Sequence, residues 1–179
     1  MRTLKYVILG LLMNKPMSGY DIYKEFEEAL VEFWSAKHSQ IYPELKKLVK
    51  EGLIEYETQV TEGKMVKKLY TITEEGKKDF IIWLNSDVPM ESTPKDVFRL
   101  RMYFSKNISK EHMVELLESQ LMQHRDRRQY LIKSTVKFEE KPQPGTDSFG
   151  DYIVLQGAIL REKSYIDWLE LALSYYKER

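Results

Sequence analysis

The chain has 179 residues, 42% of them hydrophobic and 31% charged, and its 28 basic and 28 acidic side chains cancel to a formal net charge of zero. That composition is globular, with room for one ordinary domain or two small ones. The lack of cysteine excludes a disulfide framework, a thiolate metal site and a cysteine nucleophile, and neutrality excludes a basic nucleic-acid footprint spread over the whole chain.

Residues 3–14, TLKYVILGLLMN, are apolar almost all round, which predicts a helix buried on every side. The run YVILGLLM is too short to span a bilayer and no small-residue cleavage pattern follows it, so a soluble cytoplasmic protein without membrane contact is expected. Lys15-Pro16 stops this helix. Ser18 is placed to cap a second, GYDIYKEFEEALVEF, in which Ile22, Phe26, Ala29 and Leu30 fall at helical spacing. FWSAKHSQIYPELKKLVKEG, residues 33–52, holds a third helix. Ile41, Leu45, Leu48 and Val49 are its apolar stripe, and Gly52 marks its end. With Ser39 as N-cap, Pro43 falls in or just after the first turn, where a missing N–H costs least.

The period then changes from helical to alternating. LIEYETQV and MVKKLYTIT read as two strands of a hairpin, joined by TEGK with the turn residue Gly63. Thr73 caps a further helix, EEGKKDFIIWLNS. NSDVPMESTPKD reads as a linker or irregular crossing. A short helix, PKDVFRLRMYF, and a long one, SKEHMVELLESQLMQHRDRRQYLIKSTVKF, follow. KPQPGTDS breaks the pattern before the last helix, FGDYIVLQGAILREKSYIDWLELALSYYK. The expected fold is mainly α: a winged helix-turn-helix DNA-binding domain over 1–85, a linker over 86–94, and an α-helical dimerisation and effector domain over 95–179.

Three helices followed by a hairpin is the winged-helix arrangement, whose third helix enters the major groove. Ser39, Gln40 and Tyr42 offer uncharged donors and acceptors at the start of that helix, beside His38 and Pro43. Gln can bond adenine N6 and N7 together, and Ser can bond several base edges. Lys37, Lys46, Lys47 and Lys50 suit phosphates, which set position rather than sequence. Lys64, Lys67 and Lys68, with Tyr70, repeat the theme on the wing. Ser18 and Tyr20, at the start of the second helix, complete the candidate DNA-binding set. Residues 37–50 hold four lysines and one acid, Glu44. A lysine-bearing outer face is also what any solvated amphipathic helix presents, so the order of helices and wing, not charge, carries the inference.

LKYVILGLLMNKPMSGYDI, FWSAKHSQIYPELKKLVKEGLI and KKLYTITEEGK resemble the PadR transcriptional repressors. PKDVFRLRMYF and FGDYIVLQGAILREKSYIDWLE extend the resemblance to the two-domain, phenolic-acid-responsive branch of that family. The resemblance implies a winged-helix domain joined to a helical dimerisation domain, and repression through a palindromic operator. It also implies control of a phenolic acid decarboxylase gene and release by a hydroxycinnamate such as p-coumarate or ferulate. The chain departs from the branch at Asp151, where the pattern after Phe149-Gly150 has His. An Asp there would repel a carboxylate.

The last helix carries two apolar stripes. Tyr152, Leu155, Ile159, Ile166, Leu169, Leu173 and Tyr176 form one; Ile153, Leu160, Trp168, Leu171 and Tyr175 form the other. Two stripes need two partners, the preceding long helix and a second subunit. Leu155, Ile159, Ile166, Trp168, Leu169 and Leu173 are the candidate dimer residues, with a monomer burying both stripes as the alternative. His124 and Arg128 share an apolar face of the long helix with Leu121 and Leu131, and could pair with an anionic effector or be satisfied structurally. Arg101 beside Tyr103, then Trp34, Asp151 and Tyr152, complete the effector candidates.

His38, His112 and His124 lack metal-ligand spacing, no Gly-rich loop follows a strand, and no nucleophile elbow is present. No enzyme activity, catalytic residue, metal or cofactor is expected. The alternatives to a phenolic-acid repressor are a regulator of a stress or efflux gene with another effector, and a winged helix that binds only protein.

Overall fold

The computed structural model describes residues 2–28, 30, 34, 36–60, 66–90 and 95–178. Its contacts divide the chain into two compact units, Met1–Met90 and Glu91–Arg179.

The first unit runs α1 (Thr3–Asn14), β1 (Met17–Ser18), α2 (Gly19–Glu28), α3 (His38–Lys50), β2 (Ile54–Val60), β3 (Val66–Ile72) and α4 (Glu74–Leu84). The sheet order is β1-β3-β2, antiparallel throughout, with Tyr56 opposite Tyr70 and Met17 also opposite Tyr70 on the other side. The alternating pattern gives β2 and β3; β1 is two residues long and too short to show any period. Gly63 and the hairpin connection lie outside the described residues, as does most of the expected α2 extension beyond Glu28.

Ser18 caps α2 reciprocally with Asp21. The Asp21 N–H donates to Ser18 Oγ at 3.2 Å, while the Asp21 carboxylate accepts from the Ser18 N–H at 3.0 Å and O–H at 2.6 Å. Thr73 Oγ1 caps α4 by accepting the Gly76 N–H at 3.1 Å. Gly52 follows α3 with φ +71°, the left-handed conformation that ends helices. The core closes where Ile8, Leu9 and Leu12 of α1 meet Ile22 and Phe26 of α2, Ile41, Leu45 and Leu48 of α3, and Ile54 and Ile72 of the sheet. Each such side chain contributes roughly 1.5–3 kcal/mol.

The expectation that α1 is buried all round does not hold. Only Ile8, Leu9 and Leu12 are buried; Leu4, Tyr6, Val7 and Leu11 are half-buried and Met13 is exposed. A unit this small cannot enclose a helix completely. The flank towards α4 is covered by specific contacts instead: Tyr6 stacks on Trp83 at 4.5 Å, and Lys5 pairs with Asp79 at 2.6 Å.

The second unit holds α5 (Val97–Tyr103), α6 (Lys110–Ser134) and α7 (Asp147–Lys177). Cross-pairs Lys177–Glu118 at 2.8 Å, Arg125–Glu170 at 2.6 Å and Lys137–Asp151 at 2.5 Å set α6 and α7 antiparallel. Two apolar clusters join them. Met113, Leu117 and Leu121 meet Ile166 and Leu169 with Phe98 of α5, and Leu131 meets Leu155 and Ala158. Among the described residues, no helix is long and apolar enough to cross a membrane, and no cluster of side chains could hold a metal ion.

Candidate nucleic-acid interface

α3 is amphipathic with its stripe turned inward, so its polar positions face out. Lys37, His38, Ser39, Gln40, Pro43, Lys46, Lys47 and Lys50 are all exposed, and Tyr42 is half-buried. Glu44, the one acid among these lysines, is buried. It lies three residues after Ile41 and four before Leu48, hence on the inner face. There Arg2 holds it, with Nε at 3.0 Å and Nη2 at 2.6 Å from the same carboxylate oxygen. The outer face of α3 is therefore free of acids along its whole length, although the chain is neutral overall.

The helix start differs from expectation. Lys37, not Ser39, is the N-cap, and the Lys37 N–H donates to the Gln40 side-chain oxygen at 2.9 Å. Gln40 is the third helical residue and reaches back to the cap, which lysine's own side chain cannot do for a backbone N–H. Pro43 is consequently the sixth residue of the helix, inside it. It does not set the first turn. It cannot donate the N–H that the Ser39 carbonyl would otherwise receive from the residue four positions on.

Ser18 and Tyr70 also sit differently from a groove-reaching residue. Ser18 is 3% exposed with its hydroxyl engaged by Asp21. Burial pushes the Asp21 carboxyl up, but the two Ser18 bonds and the Lys67 ammonium hold it below its ordinary value. Tyr70 is buried against Tyr56, ring centroids 5.7 Å apart, and burial pushes its phenol up. Tyr20, by contrast, is 62% exposed. These three, with Gly19, Tyr42, Lys46 and the start of β3, line a concavity of about 770 Å³ beside the outer face of α3. Gly19 is required there: a Cβ on it would lie 2.8 Å from the Tyr42 ring. Tyr42 in turn packs on His38 at 4.6 Å, and His38 on Tyr23 at 5.4 Å.

The wing lysines are partnered. Lys67 Nζ is 3.1 Å from Asp21, and Lys68 Nζ lies 3.9 Å from the Tyr56 ring centroid. Lys64 lies outside the described residues. Lys46, Lys47 and Lys50 form no ion pair among the described residues and are available to phosphate.

In the second unit Arg101 and His124 share a pocket of about 520 Å³ between α5, α6 and α7, with Lys95, Gln120 and Tyr165. His124 Nδ1 lies 2.5 Å from Glu162, and its ring stacks on Tyr165 at 4.0 Å. The Tyr165 O–H donates to Asp96 at 2.7 Å. Burial and that bond both push the Tyr165 phenol up. Burial pushes the Asp96 carboxyl up too, but the Arg99 N–H, the Tyr165 O–H and the Arg99 guanidinium hold it below its ordinary value. Glu162 and Tyr165 escape sequence reasoning, because their tie to His124 depends on the register of α6 against α7.

The other effector candidates do not join this pocket. Asp151 pairs with Lys137, and Tyr152 meets Phe138 edge-on at 5.4 Å, where α6 gives way to α7. Arg128 is half-buried, its Nε without a hydrogen-bond partner among the described residues. Tyr103 is 82% exposed, and Trp34, partly exposed, belongs to the first unit between α2 and α3. The dimer candidates fall mostly on the covered stripe of α7. Leu155, Ile166 and Leu169 are buried within the chain against α6, and Ile159 and Leu173 pack beside them. The uncovered stripe is the second one: Ile153, Leu160, Leu171 and Tyr175 are exposed, with Trp168 half-buried.

The comparisons with known proteins agree with this architecture. Residues 8–81 match the model of the transcriptional regulator PadR-like family, and residues 94–177 match that of the virulence activator alpha C-terminal family. The negative transcriptional regulator PadR of Bacillus subtilis (strain 168) is 44% identical over 177 residues, covering 97% of each chain. The crystal structure of B. subtilis PadR in complex with operator DNA superposes with a TM-score of 0.91 at 43% identity, covering 98% of this chain and 99% of that one. Its complex with p-coumaric acid gives a TM-score of 0.88 at 42% identity, with the same coverage. Two units of this kind, a winged helix with a charge-sorted third helix and a helical hairpin, carried together at that identity, place the chain in the PadR-like family of transcriptional regulators.

Proposed function

We propose that this chain is a cytoplasmic, dimeric transcriptional repressor that binds a palindromic operator through residues 1–85 and is released by a phenolic acid. The carrying observation is the outer face of α3, where Lys37, Lys46, Lys47 and Lys50 stand without an acid because Glu44 turns inward. Ser39, Gln40, Tyr42 and His38 supply the polar groups for base edges, and Lys67, Lys68 and Tyr20 the flanking phosphate contacts. Ser18 and Tyr70 shape the wall behind them.

Residues 95–179 dimerise and take the effector. The exposed stripe of Ile153, Leu160, Leu171 and Tyr175 is the face for the second subunit, which brings two recognition helices to half-sites about one helical turn apart. Arg101 and His124 are the cationic and polar groups offered to a carboxylate. Asp151 is paired to Lys137, so its charge is compensated and does not bar a carboxylate ligand. B. subtilis PadR, crystallised with operator DNA and with p-coumaric acid, supports both halves of this reading. Release follows from the ligand's preference for the state that fits DNA poorly.

The test is a binding titration against the duplex upstream of the chain's own gene and a random duplex of equal length. Preference for the first, steep loss of affinity from 50 to 200 mM salt as expected from several phosphate contacts, and release by p-coumarate are expected. Equal binding to both duplexes would sink the repressor. Persistence of the complex at saturating p-coumarate and ferulate would leave the repressor and remove the phenolic effector.

A further inference from the structure

Arg2 stands just before α1, outside every element expected to touch DNA. Its guanidinium nevertheless grips α3 at two points a full seven residues apart. Nε and Nη2 bond Glu44, and Nη1 and Nη2 lie 2.5 and 3.2 Å from the two oxygens of Glu51, the C-cap of α3. Glu44 is nearly enclosed, with its side chain 8% exposed, whereas Glu51 is at the rim at 37%. These are the two acids of α3 and its cap, and one cation holds both. The planar fork of arginine suits this task; a lysine ammonium has no second edge to offer.

We propose that Arg2 is a positioning residue for DNA binding, clamping α3 from behind so that its acids stay turned inward and compensated while its lysines face the duplex. Two consequences of the clamp bear on affinity. Without Arg2 the enclosed Glu44 carboxylate loses the one ion-pair partner it has among the described residues, a loss that favours a shift of α3 or exposure of the acid. Either response brings negative charge towards the face carrying Lys46, Lys47 and Lys50. The clamp also fixes the end of α3 that Gly52 releases into β2, and with it the angle at which the helix meets a groove. This inference rests on the DNA-binding reading above.

The test is a mutant cycle on the full chain, read as affinity for the upstream duplex and for a random duplex, well below the midpoint of thermal unfolding. Arg2→Ala should weaken binding about tenfold, within the range for coupled neighbours. In the background Glu44→Gln with Glu51→Gln, the same Arg2→Ala change should alter affinity by less than about twofold, because no uncompensated acid remains. Should Arg2→Ala not fold, Arg2→Lys serves the same comparison, with about a threefold loss alone and none beside the two glutamines. Wild-type affinity for folded Arg2→Ala would reduce Arg2 to a stability contact and overturn the proposal. An undiminished loss in the glutamine background would also overturn it, since Arg2 would then be touching DNA itself. If the unaltered chain binds neither duplex, the DNA-binding reading falls and takes the clamp's role with it.

Discussion

In the first unit, the apolar faces of α1, α2 and α3 meet over a three-stranded sheet, and the surface around α3 is lysine and hydroxyl. Its exposed apolar side chains are scattered, from Tyr20 on α2 and Val66 on β3 to Ile81, Ile82 and Leu84 on α4 and Val88 and Met90 beyond it. In the second unit, α6 and α7 bury one stripe of α7 and leave the other open along the helix, from Ile153 to Tyr175. The difference separates two ways of using a helix. α3 is finished by its own chain and presents chemistry; α7 is half finished and presents a surface that water tolerates poorly. Charge follows the same division. Lysines of α3 lack ion-pair partners among the described residues, while α6 and α7 are laced by Arg125–Glu170 and Lys177–Glu118, and Lys137 just after α6 pairs with Asp151.

The sharpest way to break this comparison is to charge the open stripe. Leu160→Glu with Leu171→Glu should convert a dimer to a folded monomer in sedimentation and lower operator affinity by about 10²–10⁴, the scale of lost bivalency. A dimer that survives would mean the stripe is not its interface. Leu45→Ala attacks the other side. This fully buried α3 residue should cost about 2–5 kcal/mol in urea unfolding, and a smaller loss would show that the first unit is less self-contained than its packing implies. Gly19→Ala should push the Tyr42 ring off α2 and weaken operator binding, at a strain of about 1–3 kcal/mol; unchanged affinity would free Tyr42 from any role at the groove. Thr73→Ala removes the α4 cap and should lower stability by about 1 kcal/mol without changing DNA affinity. The smallest effect lies in acid. Asp96 is held below its ordinary value, so its contribution is complete above pH about 4 and is lost as pH falls through its lower folded value. Asp96→Asn should flatten that part of the acid-unfolding curve, and an unchanged curve would separate Asp96 from the second unit's stability.

Periodicity made most of the fold legible. The 3.6-residue stripe of α3 gives its apolar buried face, Ile41, Leu45 and Leu48; Glu44, counted in the sequence as an acid among the lysines, lies on that same inner side. What spacing cannot reach are ties between distant positions. Arg2 and Glu44 are 42 residues apart, and His124 and Glu162 are 38 apart. The start of α3 was hidden for another reason: lysine is a poor capping residue, and the acceptor came from Gln40, three positions on. The stripes of α7 were visible, but only the packing of α6 decides which of them is inside. Leu155, Ile166 and Leu169 lie on the covered one.

The bond between the Lys37 N–H and the Gln40 side-chain oxygen reaches beyond helix geometry. An amide that reads adenine needs its oxygen for N6 and its nitrogen for N7. Here the oxygen is already engaged in starting the helix. On the proposed DNA-binding reading, Gln40 would meet the groove with its amide N–H donors free, matched to acceptors such as guanine O6 and N7, thymine O4 and adenine N7. Adenine N6 at the same step would have to share the oxygen that already accepts the Lys37 N–H, through its second lone pair. A helix can thus bias which base it prefers by how it begins.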